Sequence, residues 1–244
     1  VTLLKHPLNG IKLWGGRNKM DMKKLAGDKA ATYVKDGMVV GLGTGSTAYH
    51  MVNAVGEMVK NGLKIQAIPT SKATEAQARE LGIPLLTIDE LDHVDLAIDG
   101  VDEIDPQFNA IKGGGGALYR EKVVASMAKE VIWIMDESKL VDKIGAFHLP
   151  VEIAQYGSKQ AMERMAGYGW NPVLRVRDGK TFVTDNGNYI ADLHLGAGFD
   201  IQDVYSKLTG MLGVLEHGLF LNMCKRMIVG HSDGTVDVIE NPSK

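Results

Sequence analysis

The chain has 244 residues, enough for one large domain or two modest ones around a substantial core. Its net charge of −3 argues against a general nucleic-acid binder, and no apolar run approaches the roughly 20 residues that a membrane helix needs. Cys224 is the single cysteine, which excludes an intrachain disulfide and a cysteine-built zinc site and fits a reducing cytoplasm.

Residues 1–19 hold Gly, Pro and scattered basic residues, without the continuous apolar stretch or cleavage site of a secretory signal. They read as an N-terminal extension with no catalytic role, and Met20 or Met22 as a natural start. A helix-like pattern opens at Asp21. Met38 to Leu42 is a predicted strand, and Thr44 to Thr47 turns into a helix that carries Ala48, Met51, Val52, Val55 and Met58 at helical spacing. Leu63 to Ile68 is a second strand. Ser71 can cap a helix running to Leu81, which Gly82 ends and Pro84 follows. Leu85 to Ile88 and Val94 to Asp99 are strands, Glu121 to Lys129 a helix, and Val131 to Met135 a buried-type strand. Strands alternating with helices predict an α/β fold, a doubly wound and mostly parallel Rossmann-like sheet. In such sheets ligands bind beyond the carboxyl ends of the strands, where both the Thr44 loop and Asp99 fall.

From about Leu149 the rhythm changes. Val151 to Ile153 is a strand, Ser158 to Tyr168 a helix, and Asn171 to Arg177, Thr181 to Thr184 and Tyr189 to Leu195 are strands separated by Asp-Gly and Asp-Asn-Gly turns. A helix over Asp200 to Met211 and a strand over Leu215 to Asn222 complete a β-α-β-β-β-α-β order. That order predicts a second, smaller α+β domain of ferredoxin-like type. The expected division is a catalytic domain over 20–148, rejoined by strands at Arg226 to Gly230 and Thr235 to Ile239 within 225–244, and the small domain over 149–224.

Three segments carry chemistry that core packing does not need. Gly41-Leu-Gly-Thr-Gly-Ser-Thr47 lies between a strand and a helix, so its N–H groups and hydroxyls can cradle a phosphate, or merely form a capped turn. Ser46 stands where a dinucleotide fingerprint needs Gly, and no P-loop Lys follows. Asp99-Gly-Val-Asp102-Glu-Ile-Asp105 offers an acid/base pair, magnesium ligands or a solvated loop, with Asp105 before Pro106 as a turn residue. Lys112 and the run Gly113 to Gly116 suit a close backbone approach to an oxyanion, since four glycines cost entropy and pack nothing. Glu121 follows near a helix start. Lys139, after the buried strand, can reach a phosphate or sit exposed. The seven histidines show no metal-ligand spacing, and the methionines read as core.

Together these blocks, with Arg120-Glu-Lys122, Asp136-Glu-Ser-Lys139, Val183-Thr-Asp-Asn-Gly-Asn188 and Gly218-Leu-Phe220, resemble the signature of the ribose-5-phosphate isomerase type A family, in order and spacing. The resemblance covers roughly Met20 to the C-terminus. It implies interconversion of D-ribose 5-phosphate and D-ribulose 5-phosphate in the non-oxidative pentose phosphate pathway, with no metal and no organic cofactor. It implies that Glu121 is the general base between C1 and C2, that Asp99 handles the hydroxyl protons, and that Asp102 assists ring opening or orientation. Lys112 and the N–H groups of Gly113, Gly114 and Gly115 would hold the enediolate. Thr44, Gly45, Ser46, Thr47, Gly100 and Val101 would line the substrate, with Lys139 and one of Lys23 and Lys24 at the phosphate. Gly116 stands where relatives often have Ala, a change expected to be tolerated. Pro69 to Lys72 varies among relatives and is given no role. The family also implies a homodimer or homotetramer, and neither a nucleic-acid nor a membrane partner. Two other classes compete. A non-catalytic sugar-phosphate sensor would want a helix-turn-helix that residues 1–30 lack. A sugar-phosphate deaminase or lactonase would want histidine in these motifs, and a metal-dependent isomerase would be sensitive to EDTA.

Overall fold

The computed structural model describes residues 21–244, and the N-terminal extension expected over 1–19 lies outside the described residues. In chain order the first half forms α1 (Met22–Ala31), β1 (Val39–Leu42), α2 (Ser46–Lys60), β2 (Gln66–Pro69), α3 (Lys72–Glu80), β3 (Val94–Gly100), β4 (Glu103–Ile104), β5 (Ala110–Ile111), α4 (Leu118–Met127) and β6 (Ala128–Asp136). The second half forms β7 (Leu149–Ile153), α5 (Ser158–Gly167), β8 (Pro172–Leu174), β9 (Val176–Arg177), β10 (Lys180–Thr181), β11 (Tyr189–Leu193), α6 (Ile201–Thr209), β12 (Val214–His217), β13 (Leu219–Phe220), β14 (Arg226–Gly230) and β15 (Val236–Glu240).

The main sheet has six strands in the order β15-β14-β6-β3-β1-β2. Its strands pair in parallel except for the antiparallel edge pair β14–β15. Alternation decides which face each residue joins. Leu42, Ile98, Ile132, Ile134 and Ile228 pack with Ala26 and Ala30 of α1 and Met51 and Val55 of α2. Ala97, Val131, Trp133, Met135 and Val229 point the other way, against Val124 and Ala125 of α4 and Phe220. Burial on both faces is why the central strands read as unbroken apolar runs. Each fully buried Ile or Met on these faces contributes about 1.5–3 kcal/mol.

The second sheet is antiparallel, four strands in the order β12-β7-β11-β8, with α5 and α6 closing a separate core around Val151, Leu193, Met165 and Leu208. Two β-α-β units interleaved in that order are the ferredoxin-like arrangement expected from the sequence. The hairpin β9–β10 accounts for the extra strand in the predicted order.

Several boundaries differ from the sequence reading, each for a local reason. The strand predicted at Leu85 to Ile88 is one bridge, Leu85 to Ala67, followed by a 3-10 turn at Ile88–Glu90. There the Glu90 carboxylate accepts from Thr87 N–H and pulls the chain round. The predicted strand at 63–68 starts at Gln66, because Lys64 N–H donates to the Asp36 carboxylate instead. The helix expected from Glu121 begins at Leu118, so Glu121 lies one turn in, and Ala128 and Lys129 belong to β6. The strand over 215–222 divides at Gly218. β12 stays in the four-stranded sheet, while β13 joins β5 and β4 in a three-stranded sheet beneath the main sheet's carboxyl end. That small sheet was not legible, since two-residue strands carry no periodicity.

Candidate functional site

The carboxyl ends of β1, β3 and β6 lie side by side, and each carries one sequence block into the same corner. Gly43 N–H bonds Ile98 O as β1 ends, and Asp99 sits at the end of β3. Asp99 is 3% exposed, and its Oδ1 accepts from Thr44 N–H at 2.9 Å and Gly100 N–H at 2.7 Å. A Cβ on Gly43 would lie 2.2 Å from that oxygen, so only glycine lets the loop pass over the carboxylate.

Lys112 leaves β5 with its N–H bonded to Gly218 O at 2.9 Å and its side chain 2% exposed. Its ammonium donates to Gly100 O at 2.6 Å and stands 5.1 Å from the Trp133 ring centre and 5.2 Å from that of Phe220. It lies 3.0 Å from Asp99 Oδ2 and 3.3 Å from Glu121 Oε2. Neither contact is an aligned hydrogen bond, and both oxygens are buried without a donor among the described residues. Two carboxylates therefore share one cation in a buried corner. Burial, opposed by Lys112 but reinforced by Asp99 and Asp102, pushes Glu121 up to about 8. Burial likewise raises Asp99, again opposed by Lys112. Burial alone would lower Lys112, but Asp99 and Glu121 outweigh it and hold the ammonium charged.

The four acidic residues of the second block separate into two kinds. Asp102 faces the corner, and its Oδ2 accepts from Gly114 N–H at 2.7 Å. Glu103 and Asp105 are structural. Glu103 accepts from Gly145 N–H and Phe147 N–H, and Asp105 holds its own turn through Gln107 N–H and Asn109 N–H, as a turn residue was expected to.

A cavity of about 130 Å³ opens here, lined by Lys23, Thr44 to Thr47, Gly100 to Asp102, Lys112 to Gly115, Glu121 and Lys139. Every residue that the resemblance placed in the site lines it except Asp99, whose Oδ2 lies 3.0 Å from the Lys112 ammonium, and Lys24. Gly45 precedes α2 with no side chain capping the helix, so the amide end of α2 faces the cavity. Between the two lysines left open, Lys23 lines the cavity and donates to Ser46 Oγ at 2.9 Å, whereas Lys24 pairs with Asp28 on the outer face of α1. Among the described residues, no three His, Cys, Asp or Glu side chains gather as a metal set.

Gly116 has φ +88°, and a Cβ there would meet the Phe182 ring at 2.4 Å, so the glycine that departs from the relatives suits this backbone. One expectation changes. Thr70, Ser71 and Thr74 matter, although Pro69 to Lys72 was given no role. The Thr44 hydroxyl lies 2.7 Å from Thr70 Oγ1, 2.8 Å from Ser71 Oγ and 3.3 Å from Thr74 Oγ1. Thr44 thus fixes the loop with its hydroxyl and leaves backbone to the cavity. Three hydroxyls on a strand-to-helix turn were the available signal. Arg175, which donates to Gly113 O and Gly114 O from the second sheet, was missed altogether, because its sequence neighbours are ordinary strand residues.

Comparison with known proteins gives the same answer over about nine-tenths of the chain. The family described as Ribose 5-phosphate isomerase A (phosphoriboisomerase A) matches residues 66–234. The Ribose-5-phosphate isomerase A of Streptococcus gordonii is 53% identical over 221 residues, which is 90% of this chain and 98% of that one. The ribose 5-phosphate isomerase of Plasmodium falciparum superposes with a TM-score of 0.85 at 40% identity, over 90% of this chain and 98% of that one. A D-ribose-5-phosphate isomerase solved in complex with phospho-erythronic acid superposes with a TM-score of 0.86 at 36% identity, over 91% of this chain and 100% of that one. The chain belongs to the ribose-5-phosphate isomerase A family and is an aldose–ketose isomerase that interconverts D-ribose 5-phosphate and D-ribulose 5-phosphate.

Proposed function

We propose that Glu121 is the base that moves the proton between C1 and C2 of the open-chain sugar, through an enediolate. The carrying observation is the buried pair of unbonded carboxylate oxygens, Asp99 Oδ2 and Glu121 Oε2, on either side of the Lys112 ammonium. Buried acceptors without a donor are rare, and the hydroxyls of a sugar would satisfy them. Glu121 removes the C2 proton. The C2–H electrons form the C1–C2 double bond, and the C1 carbonyl electrons pass to O1. Asp99 carries the O2 proton to O1, and Glu121 returns its proton to C1 as the C2 carbonyl forms. Lys112 and the N–H groups of Gly113 and Gly115 hold the negative oxygen meanwhile, while Gly114 N–H holds Asp102. A carboxylate lifted toward neutrality is better matched to a carbon-bound proton than one near 4.

The phosphate falls at the open amide end of α2, between Lys23 and Lys139, where the helix dipole and both cations favour an anion. Asp102, with one oxygen fixed by Gly114, is left to orient the substrate or open its ring. The ligand bound by a solved relative, phospho-erythronic acid, has the chemistry this layout asks for, with a planar pair of carboxylate oxygens resembling O1 and O2 of an enediolate and a phosphate at its far end.

The reading keeps a division into 20–148 with 225–244 and 149–224. It also keeps a cytoplasmic location, which the single buried Cys224 supports, and a homodimer or homotetramer. Exposed Tyr156, Leu212 and Leu215 around the four-stranded sheet support assembly. The test is ketose formation from ribose 5-phosphate in EDTA, with Glu121→Gln beside the wild type. Isomerisation by the wild type and loss in the variant are expected, and a Gln variant with near-normal kcat sinks the assignment.

A further inference from the structure

The second sheet reaches into the site through one buried guanidinium. Arg175 sits at the break between β8 and β9 and is 8% exposed. Its N–H donates to Ile190 O at 2.8 Å, which fixes the backbone. Its side chain makes a two-pronged pair with Asp192 of β11, Nε to Oδ2 at 2.9 Å and Nη2 to Oδ1 at 2.5 Å. Asp192 Oδ1 also lies 3.3 Å from His148 Nε2. The remaining nitrogen, Nη1, donates to Gly113 O at 2.9 Å and to Gly114 O at 3.1 Å. The charge is matched by Asp192, so the pair adds no net charge beside the cavity.

What Arg175 does is hold two consecutive peptide planes. A trans peptide points its N–H opposite to its C=O, and the described residues include no cis bond. With the Gly113 and Gly114 carbonyls turned to Arg175, the N–H groups of Gly114 and Gly115 must face the other way. Gly114 N–H does so, onto Asp102. Gly115 lines the cavity, and the trans geometry of the peptide whose carbonyl Arg175 holds turns its N–H away from Arg175. Glycines with no side chains to hold them would otherwise exchange peptide orientations readily. A carbonyl that accepts from a cation also makes the N–H of the same peptide a stronger donor.

We propose that Arg175, held by Asp192, is a positioning residue that sets two peptides, one presenting the Gly114 N–H to Asp102 and one presenting the Gly115 N–H to the oxyanion, so that the four-stranded sheet completes the isomerase site. This rests on the reading that N–H groups of the glycine loop hold the enediolate. Removing one such donor outright costs on the order of 100- to 1,000-fold in kcat. Letting two reorient costs less, about 10- to 100-fold.

The experiment compares Arg175→Met, Arg175→Lys and Asp192→Asn with the wild type, using kinetics and binding of two four-carbon phosphates. Phospho-erythronic acid has a carboxylate for the peptides to grip, while erythritol 4-phosphate has a hydroxymethyl group there. Arg175→Met is expected to lose kcat about 10- to 100-fold with KM within about 3-fold. Its affinity for phospho-erythronic acid should fall in parallel, with that for erythritol 4-phosphate little changed. Arg175→Lys should recover part of both losses, and Asp192→Asn, which keeps shape and packing, should show a weaker version of the same split. Equal weakening of the two ligands, or lost thermal stability with their ratio unchanged, overturns the proposal. If Arg175→Met does not fold, the Lys and Asn variants decide on the same ratio. A wild type without isomerase activity would instead overturn the reading beneath it.

Discussion

A buried lysine and a partly buried one, ten residues apart, meet the same ring and do opposite things. Lys112 and Lys122 stand 5.2 Å and 4.8 Å from the centre of Phe220. Lys122 donates to Glu216 Oε1 at 2.7 Å and to His217 O at 2.6 Å, so one carboxylate meets one cation and the bonds are short and aligned. Burial alone would raise Glu216, but Lys122 outweighs it and holds the carboxyl below its usual range. Burial, with Lys122 nearby, pushes His217 down to about 4, so the ring adds no second charge. Around Lys112 the count is one cation to two buried carboxylates, and one oxygen of each lacks a donor. A cluster that satisfies its own groups is structural. A cluster with surplus negative charge and open acceptors is poised to take a proton, and it raises its own carboxylates in doing so.

The largest effect should come from Glu121→Gln, which removes the proton carrier and keeps the shape. We expect kcat to fall by about three orders of magnitude or more, with binding of phospho-erythronic acid within a few-fold of wild type. Calorimetry on the same pair of proteins checks that binding survives. Lys112→Met should cost about 100- to 1,000-fold in kcat, because it removes the cation facing the enediolate. It also leaves Asp99 and Glu121 with no cation, so the acid limb of the rate profile should move to higher pH. An unmoved limb would break the coupling drawn between them.

The wild-type pH profile comes next in size. The base works deprotonated, so kcat/KM should rise with pH and level off above a midpoint near 8, falling about tenfold per unit below it. The stability sign is opposite. Glu121 binds its proton more tightly folded than unfolded, so its contribution is full below the unfolded value near 4.5 and lost as pH rises through about 8. The Gln variant, uncharged throughout, should gain in Tm over wild type between pH 5 and 9. Equal Tm values across that range would mean that Glu121 is not lifted.

Much of this was legible in the sequence because the site's chemistry is local. Asp99 and Asp102 share a strand end, the glycines and Glu121 share a loop and the helix after it, and Lys139 follows a strand that announces itself by burial. The separation of Glu103 and Asp105 from Asp102 was only half legible. A proline marked Asp105 as a turn, but nothing near Glu103 signals that it caps Gly145 and Phe147 forty residues on. Arg175 and the hydroxyls of Thr70, Ser71 and Thr74 act through partners 26 to 62 residues away, and spacing carries no trace of such contacts. The three-stranded sheet β4–β5–β13 failed for a related reason. β4 and β5 pair locally over two residues each, and β13 is held by pairing across more than a hundred residues, from Leu219 to Ile111, and not by any pattern of its own.

The smallest effect on rate, and the sharpest test of the comparison, belongs to Lys122. Lys122→Met strands the half-buried Glu216 and should cost roughly 3 kcal/mol of stability, while kcat stays within about 3-fold at a temperature where the variant is folded. Removing both charges, as Lys122→Met with Glu216→Gln, should return most of that stability, since the cost came from the unpaired carboxylate and not from a lost net attraction. Lys112→Met with Asp99→Asn, built the same way, should return no activity, because there the charges act on a third group. If the Lys122 variant instead loses turnover as Lys112 does, the Lys122 anchor on His217 O reaches the reaction through Gly218 O, which holds Lys112 N–H. The two clusters would then be one device, divided by Phe220.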